Sequence, residues 1–72
     1  MNYNSIKVTN RNGFRSVRNS DIPSTCSYRK RAAARAIAAR TGTPSEQVYL
    51  NLNATTNSRG DKVYTVRNSA LS

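Results

Sequence analysis

The chain has 72 residues and a net charge of +9, with twelve lysines and arginines against Asp21, Glu46 and Asp61, no histidine and one cysteine. Such a length holds a single domain near the lower limit for a self-sufficient core, with a stability of about 4–10 kcal/mol by per-residue scaling. The lone Cys26 excludes an intrachain disulfide, and with it the small stapled secreted folds. No stretch approaches the ~20 apolar residues of a membrane span.

Self-repulsion at this charge opposes compaction, so an anionic partner stabilises the fold as well as binding it. Nucleic acid is the leading expectation, ahead of an acidic protein surface and an anionic membrane. The first residues, MNYNSIKVTN, contain no apolar run of the signal-peptide kind. A reducing cytoplasmic setting is therefore expected, in which the sequon Asn53-Ala54-Thr55 goes unglycosylated.

Residues 1–4 read as a loose tail. Asn12-Gly13 is the pair favoured by a two-residue type I′ hairpin turn. That turn sets Arg11 opposite Phe14, Thr9 opposite Ser16, Val8 opposite Val17 and Lys7 opposite Arg18. Side-chain alternation then gives Ile6, Val8 and Val17 the buried face and gathers Lys7, Arg11 and Arg18 around Phe14 on the other. Basic groups around an aromatic ring suit phosphate pairing combined with base stacking. A shifted register instead buries Phe14, the only phenylalanine, in the core. Short strands specify register weakly, so both arrangements stay open.

Residues 19–26 form a connector. Pro23 disfavours helix behind it, Ser24, Thr25 or Ser27 can cap the next element, and Ile22 is a candidate anchor. SYRKRAAARAIAARTG, from Ser27 to Gly42, is the strongest helix signal: alanine and arginine favour helix, and Gly42 suits its left-handed stop. A helical period puts Ala33, Ala34, Ile37 and Ala38 on one side. Arg31 and Arg35 share one flank at i,i+4, while Arg29 and Arg40 border the other.

Thr43-Pro44-Ser45-Glu46 has the form of a capping box with proline at the first helical position, opening either one turn or a whole helix. VYLNLNA, from Val48, alternates with the strand period, setting Val48, Leu50 and Leu52 against Tyr49, Asn51 and Asn53. TTNSRGD is turn-rich and KVYTVR is β-branched and aromatic, so a second hairpin follows. Residues 69–72 read as a tail. The expected fold is α+β in the order β-β-α-β-β. A four-stranded antiparallel sheet carries one helix, about residues 27–41, on one face, in a single domain over residues 5–68.

Catalysis has little to draw on. There is no histidine, the three carboxylates are far apart in sequence, and no glycine-rich phosphate loop or metal-ligand spacing occurs. Cys26 lies near Arg29 and Lys30 at the helix start, which can lower a thiol pKa. Without a base beside it, it reads as a small filler. Arg59-Gly60-Asp61 matches the integrin-binding tripeptide, but in an intracellular chain it is a turn made of turn-forming residues. A helix-turn-helix over residues 31–53 is the alternative fold, with Ile37, Ala38, Gly42, Val48 and Leu52 at the required spacing. Ser45, Glu46, Gln47 and Tyr49 would then face base edges, although that second helix contains no lysine or arginine.

A basic hairpin, an alanine-rich helix, a Gly-Thr-Pro break and a VYL segment leading to a second hairpin together resemble the small phage-encoded anti-CRISPR proteins. The resemblance runs from about Ser5 to Asn68 and is one of architecture and size. It implies a stoichiometric inhibitor without a cofactor, acting in the host bacterial cytosol. Such an inhibitor occupies nucleic acid, or the nucleic-acid-binding surface of a bacterial nucleoprotein complex. Charge and geometry, not the resemblance, nominate the contact residues: Lys7, Arg11, Phe14 and Arg18 on the first hairpin, with Arg29, Arg31 and Arg35 on the helix. The expected protein is a non-enzymatic binder with no metal, no small-molecule substrate and no membrane partner. A DNA-binding regulator is the alternative.

Overall fold

The computed structural model describes residues 3–25 and 27–71, apart from the side chain of Asn4. Cys26, and the expectations attached to its thiol, lie outside the described residues. The strands are β1 (Thr9–Arg11), β2 (Phe14–Arg18), β3 (Asn53–Thr56) and β4 (Lys62–Arg67), and the helices are α1 (Arg29–Thr41) and α2 (Ser45–Asn51). All strand pairs are antiparallel and the sheet order is β1-β2-β4-β3, so the architecture is α+β.

The first hairpin forms in the register dictated by Asn12-Gly13. Asn12 (φ 53°) and Gly13 (φ 79°) both adopt the positive φ of a type I′ turn, and Arg11 stands opposite Phe14, with Thr9 opposite Ser16. Phe14 therefore points away from the core. β4 then pairs with β2 from Phe14↔Arg67 to Arg18↔Val63. On one sheet face Val17, Tyr64 and Val66 are buried; on the other no strand residue is buried.

Both helices contribute to the core on the buried face, α2 through Val48, together with Ile6, Ile22 and Leu52. α1 is thirteen residues long and starts at Arg29, two residues later than expected, with Tyr28 at the N-cap and no side-chain cap bond. Ala32, Ala33, Ala34, Ala36 and Ile37 are all buried. The apolar stripe is thus wider than Ala33, Ala34, Ile37 and Ala38, and Ala38 itself is only half-buried. The cause is that α1 is covered on more than one side: by the sheet, by α2, and by the Tyr3–Ser5 turn with Ile6 behind it. Gly42 ends the helix as expected, with φ 76° and its N–H donated to the Ala38 carbonyl at 2.9 Å.

The largest correction falls on VYLNLNA. Residues 45–51 are a helix, not a strand, and only from Asn53 does the chain become extended. Helical spacing puts Val48 and Leu52 on the same inward side, where both are buried, and throws Leu50 outward, where it is 74% exposed. Leaving Leu50 in water forgoes about 1.5–3 kcal/mol of burial. In return Val48 is sealed against α1 and the Tyr49 ring is half-buried beneath Lys30 and Arg31. Pro44 stands at the N-cap, one position outside the helix it was expected to open. α1, the turn at residues 42–44 and α2 thus reproduce the helix-turn-helix spacing, yet inside a sheet-based domain and not instead of one.

The second hairpin is present, but its first strand is Asn53–Thr56. Asn57 builds its turn: the side-chain oxygen accepts the N–H groups of Arg59 at 2.9 Å and Asp61 at 3.0 Å. Arg59-Gly60-Asp61 is accounted for by that turn. The ends differ from the expected tails. Tyr3–Ser5 and Asn68–Ala70 are 3-10 turns, and Tyr3 and Leu71 pack against the core. Each offers one large side chain that a core this small has room to bury.

A Cβ at Gly42 would meet no atom within 4 Å, so its substitution tests backbone conformation alone. Gly42→Ala should lower unfolding free energy by about 1–2 kcal/mol, the cost of a left-handed alanine. Gly42→Asn should cost less, and the urea midpoints of the two variants measure the difference. Equal midpoints for both variants and the parent would refute the left-handed stop.

Candidate nucleic-acid interface

The outer face of the sheet is organised in rows, because directly paired residues of neighbouring strands project to the same side. One row is Arg11, Phe14 and Arg67; the next is Thr9, Ser16, Thr65 and Asn53; the third is Arg18, Val63 and Thr55. Phe14 is 39% exposed, with the Arg67 guanidinium carbon 5.8 Å from its ring centroid. That distance is within cation–π range, and the ring remains accessible beside the guanidinium. Arg18 lies four residues from Phe14 along β2, about 13 Å away at the strand rise.

Two contacts fix the first row. The Asn68 N–H donates to the Gly13 carbonyl at 2.9 Å, and the Asn68 side-chain amide donates to the Asn10 side-chain oxygen at 3.0 Å. They extend the β2–β4 pairing to the tip of the first hairpin, so Arg67 cannot slide away from Phe14. All three carboxylates lie elsewhere: Asp21 in the 3-10 turn after β2, Glu46 on α2 and Asp61 in the second hairpin turn. These three rows therefore carry cations and no carboxylate, with Ser and Thr hydroxyls and the Asn53 amide between them, while Asp61 pairs with Asn57 beyond the third row, at the end of the sheet away from Phe14.

The sequence-nominated residues do not form one continuous surface. Arg11, Phe14 and Arg18 are brought together on the outer sheet face, and Lys7 is exposed in the segment leading to β1. Arg31 and Arg35 belong to the helical layer on the opposite side of the sheet. There the Arg31 guanidinium sits 4.4 Å from the Tyr49 ring centroid and 3.5 Å from the Glu46 carboxylate. Arg35 donates to the Tyr3 hydroxyl at 3.4 Å.

Arg29 has an inward task that charge patterning does not reveal. Its guanidinium donates to the carbonyls of Asn19 at 3.0 Å and Ile22 at 3.3 Å, pinning the connector beside α1. Arg40 acts similarly at the other end, donating to the Ile6 carbonyl at 2.7 Å. Two of the helix's cations thus hold the chain together.

Arg67 is the residue that sequence reasoning missed. Alternation in KVYTVR already separates Val63, Thr65 and Arg67 from Tyr64 and Val66. The missing information was that β2 is the neighbour of β4. Tyr28 and Lys30 on the helical side were not nominated as contacts, and Tyr49 was named only in the helix-turn-helix alternative, because the favoured reading assigned it to a strand.

Among the described residues no group of three His, Cys, Asp or Glu side chains is placed to hold a metal ion, and no helix is long and apolar enough to cross a membrane. Comparison with protein-family models, with curated proteins and with solved structures finds no match to the chain.

The two kinds of arginine should separate in denaturation experiments. Arg29→Gln removes charged hydrogen bonds to two carbonyls and should cost about 1.5–3 kcal/mol. Arg11→Gln, Arg18→Gln and Arg67→Gln should each stay within about 0.5 kcal/mol of the parent, as exposed substitutions do. A loss at Arg67 as large as that at Arg29 would give Arg67 a structural role instead of a binding one.

Proposed function

We propose that this chain is a non-enzymatic, single-strand nucleic-acid-binding protein that uses the outer face of its sheet. The observation that carries the proposal is the Arg11-Phe14-Arg67 row, an accessible ring between two cations with no carboxylate in its own or the two neighbouring rows. Arginines pair with phosphates, and an aromatic ring held in the open offers a stacking partner to a base that has left its duplex. Ser16, Thr9 and Thr65 supply hydroxyls that hydrogen-bond sugar or phosphate oxygens without demanding a particular base. Arg18 extends the positive track along β2, and Lys7 stands exposed in the segment before β1, which begins too late for the expected Lys7–Arg18 pair to form.

Dimensions favour a single strand over a duplex. Four strands at the usual spacing make a face about 14 Å wide before side chains are counted, whereas the B-DNA major groove is about 12 Å wide and admits a two-stranded ribbon. A duplex also has no unstacked base to offer Phe14.

In a phage setting, such binding would serve a stoichiometric inhibitor that occupies the nucleic acid, or its seat, on a bacterial nucleoprotein complex. Inhibition of that kind titrates to an endpoint and is relieved by excess single-stranded competitor. Inhibition that persists in Phe14→Ala would place the inhibitory surface elsewhere. A DNA-binding regulator is the second reading, favoured by the α1–turn–α2 pair. Its difficulty is that α2 presents Glu46, Gln47, Leu50 and Asn51 to solvent and carries no cation, while the Gln47 amide is already donated to the Ala70 carbonyl at 3.1 Å.

Fluorescence anisotropy with a labelled single-stranded oligonucleotide and its duplex tests both readings. Three phosphate contacts predict a slope of about −2 for log affinity against log salt on a single strand. Phe14→Ala should cost about 1–3 kcal/mol of binding. Arg67→Gln should weaken binding and make the salt slope shallower. Binding indifferent to salt and to Phe14 would overturn the proposal. A preference for duplex with a discrete footprint would favour the regulator.

A further inference from the structure

The helical side of the molecule carries a second basic and aromatic cluster that the sheet-face reading does not use. A cleft of about 580 Å³ is lined by Tyr28, Arg29, Lys30, Arg31, Arg35 and Tyr49. That size lies within the roughly 300–1,000 Å³ of ligand-binding clefts. Tyr28 is 79% exposed, the most accessible large ring of the described residues. Lys30 places its ammonium 4.8 Å from the Tyr49 ring centroid and Arg31 its guanidinium 4.4 Å, so both cations are held at the cleft wall. Glu46 is the one carboxylate nearby. Its pairing with Arg31 at 3.5 Å is solvent-exposed, and such pairs are weak.

This cluster and the Arg11-Phe14-Arg67 row face opposite ways, because α1 and the sheet pack apolar side to apolar side between them. The domain measures 29 × 28 × 18 Å, so a strand lying along one broad face leaves the other open to a second. We infer that the α1–α2 cleft is a second site for a single-stranded phosphodiester segment, with Tyr28 stacking a base and Lys30, Arg31 and Arg35 pairing with phosphates. The protein then bridges two strands and promotes their association. The inference rests on the sheet-face reading, since bridging needs both sites. Charge supports it: excess cations on both outer layers repel one another through a thin domain, and two bound anionic strands remove that repulsion from both sides.

A co-capture experiment with the full chain tests this. A dT oligonucleotide of about six residues is immobilised, saturated with protein and washed. A second, labelled dT oligonucleotide is then offered; the two cannot base-pair, so any retention is through the protein. One labelled strand retained per protein is expected. Tyr28→Ala combined with Arg35→Gln, both at exposed positions, should reduce retention at least tenfold and leave affinity for the immobilised strand within twofold. With complementary oligonucleotides, the parent should accelerate annealing in a fluorescence-transfer assay, and the double variant should not.

Protein that binds the immobilised strand but retains no second one overturns bridging and leaves the sheet-face site standing. Retention undiminished in the double variant overturns the assignment to the cleft. Displacement of the second strand by poly-glutamate at equal charge concentration shows an acidic-protein site there and also overturns it. Failure to bind the first strand at all overturns the sheet-face reading itself.

Discussion

The close seat of α1 is the constraint on which the other elements depend. A helix flanked by the sheet, a second helix and the Tyr3–Ser5 turn must be thin, and Ala32, Ala33, Ala34 and Ala36 make it so. Ile37 is the single large aliphatic on it, and it is fully buried. Alanines bury little area, so much of the hydrophobic stabilisation comes from the larger side chains around them: Ile6, Val17, Ile22, Val48, Leu52, Tyr64 and Val66. Arg29 and Arg40 add a polar form of closure. Each reaches from α1 to a backbone carbonyl of a flanking loop and satisfies an acceptor that packing would otherwise take from water.

A chain of this length has enough apolar residues to cover one side of a four-stranded sheet and not both. Its second side must therefore be compatible with water, and here it is made so with arginines, hydroxyls and an amide. The cost of that solution is a face with a strong excess of one charge sign. The gain is that Phe14 can remain in the open, because Arg67 covers part of its ring and Arg11 stands on its other side. A neutral polar face would have solubilised the sheet equally well; a cationic one with a ring in it is what makes the surface chemically distinctive.

The two hairpins contrast in how far the sequence specifies them. In the first, Asn12-Gly13 demands a turn type, the turn type sets the register, and the register settles where Phe14 points. Every link is local, yet strands this short left two registers open, and the pairing seen in the structure put Phe14 on the outer face. The segment from Val48 to Asn53 had no such anchor. Its residues satisfy a strand period through Val48, Leu50 and Leu52 and a helix period through Val48 and Leu52 equally well. The Thr-Pro-Ser-Glu run ahead of it is a helix start that a strand reading has to curtail. Burial decided between them: α1 offers one narrow apolar seat, which Val48, Tyr49 and Leu52 fill together only on a helix.

The candidate site divides in the same way. Charge and alternation alone determined that the first hairpin and the helix both carry cations and that Arg31 and Arg35 share a flank of the helix; whether Phe14 stands beside Arg11 and Arg18 or in the core stayed open until the register was seen. Those two placements of charge follow from residue identity and the pitch of a helix, which are properties of neighbouring residues. Tertiary structure decided that Arg67 joins Phe14, that Arg29 turns inward, and that hairpin and helix cations end on opposite sides of the sheet. Each depends on which elements become neighbours. That depends on how one small core is shared among all of them, a quantity that no local window of sequence contains.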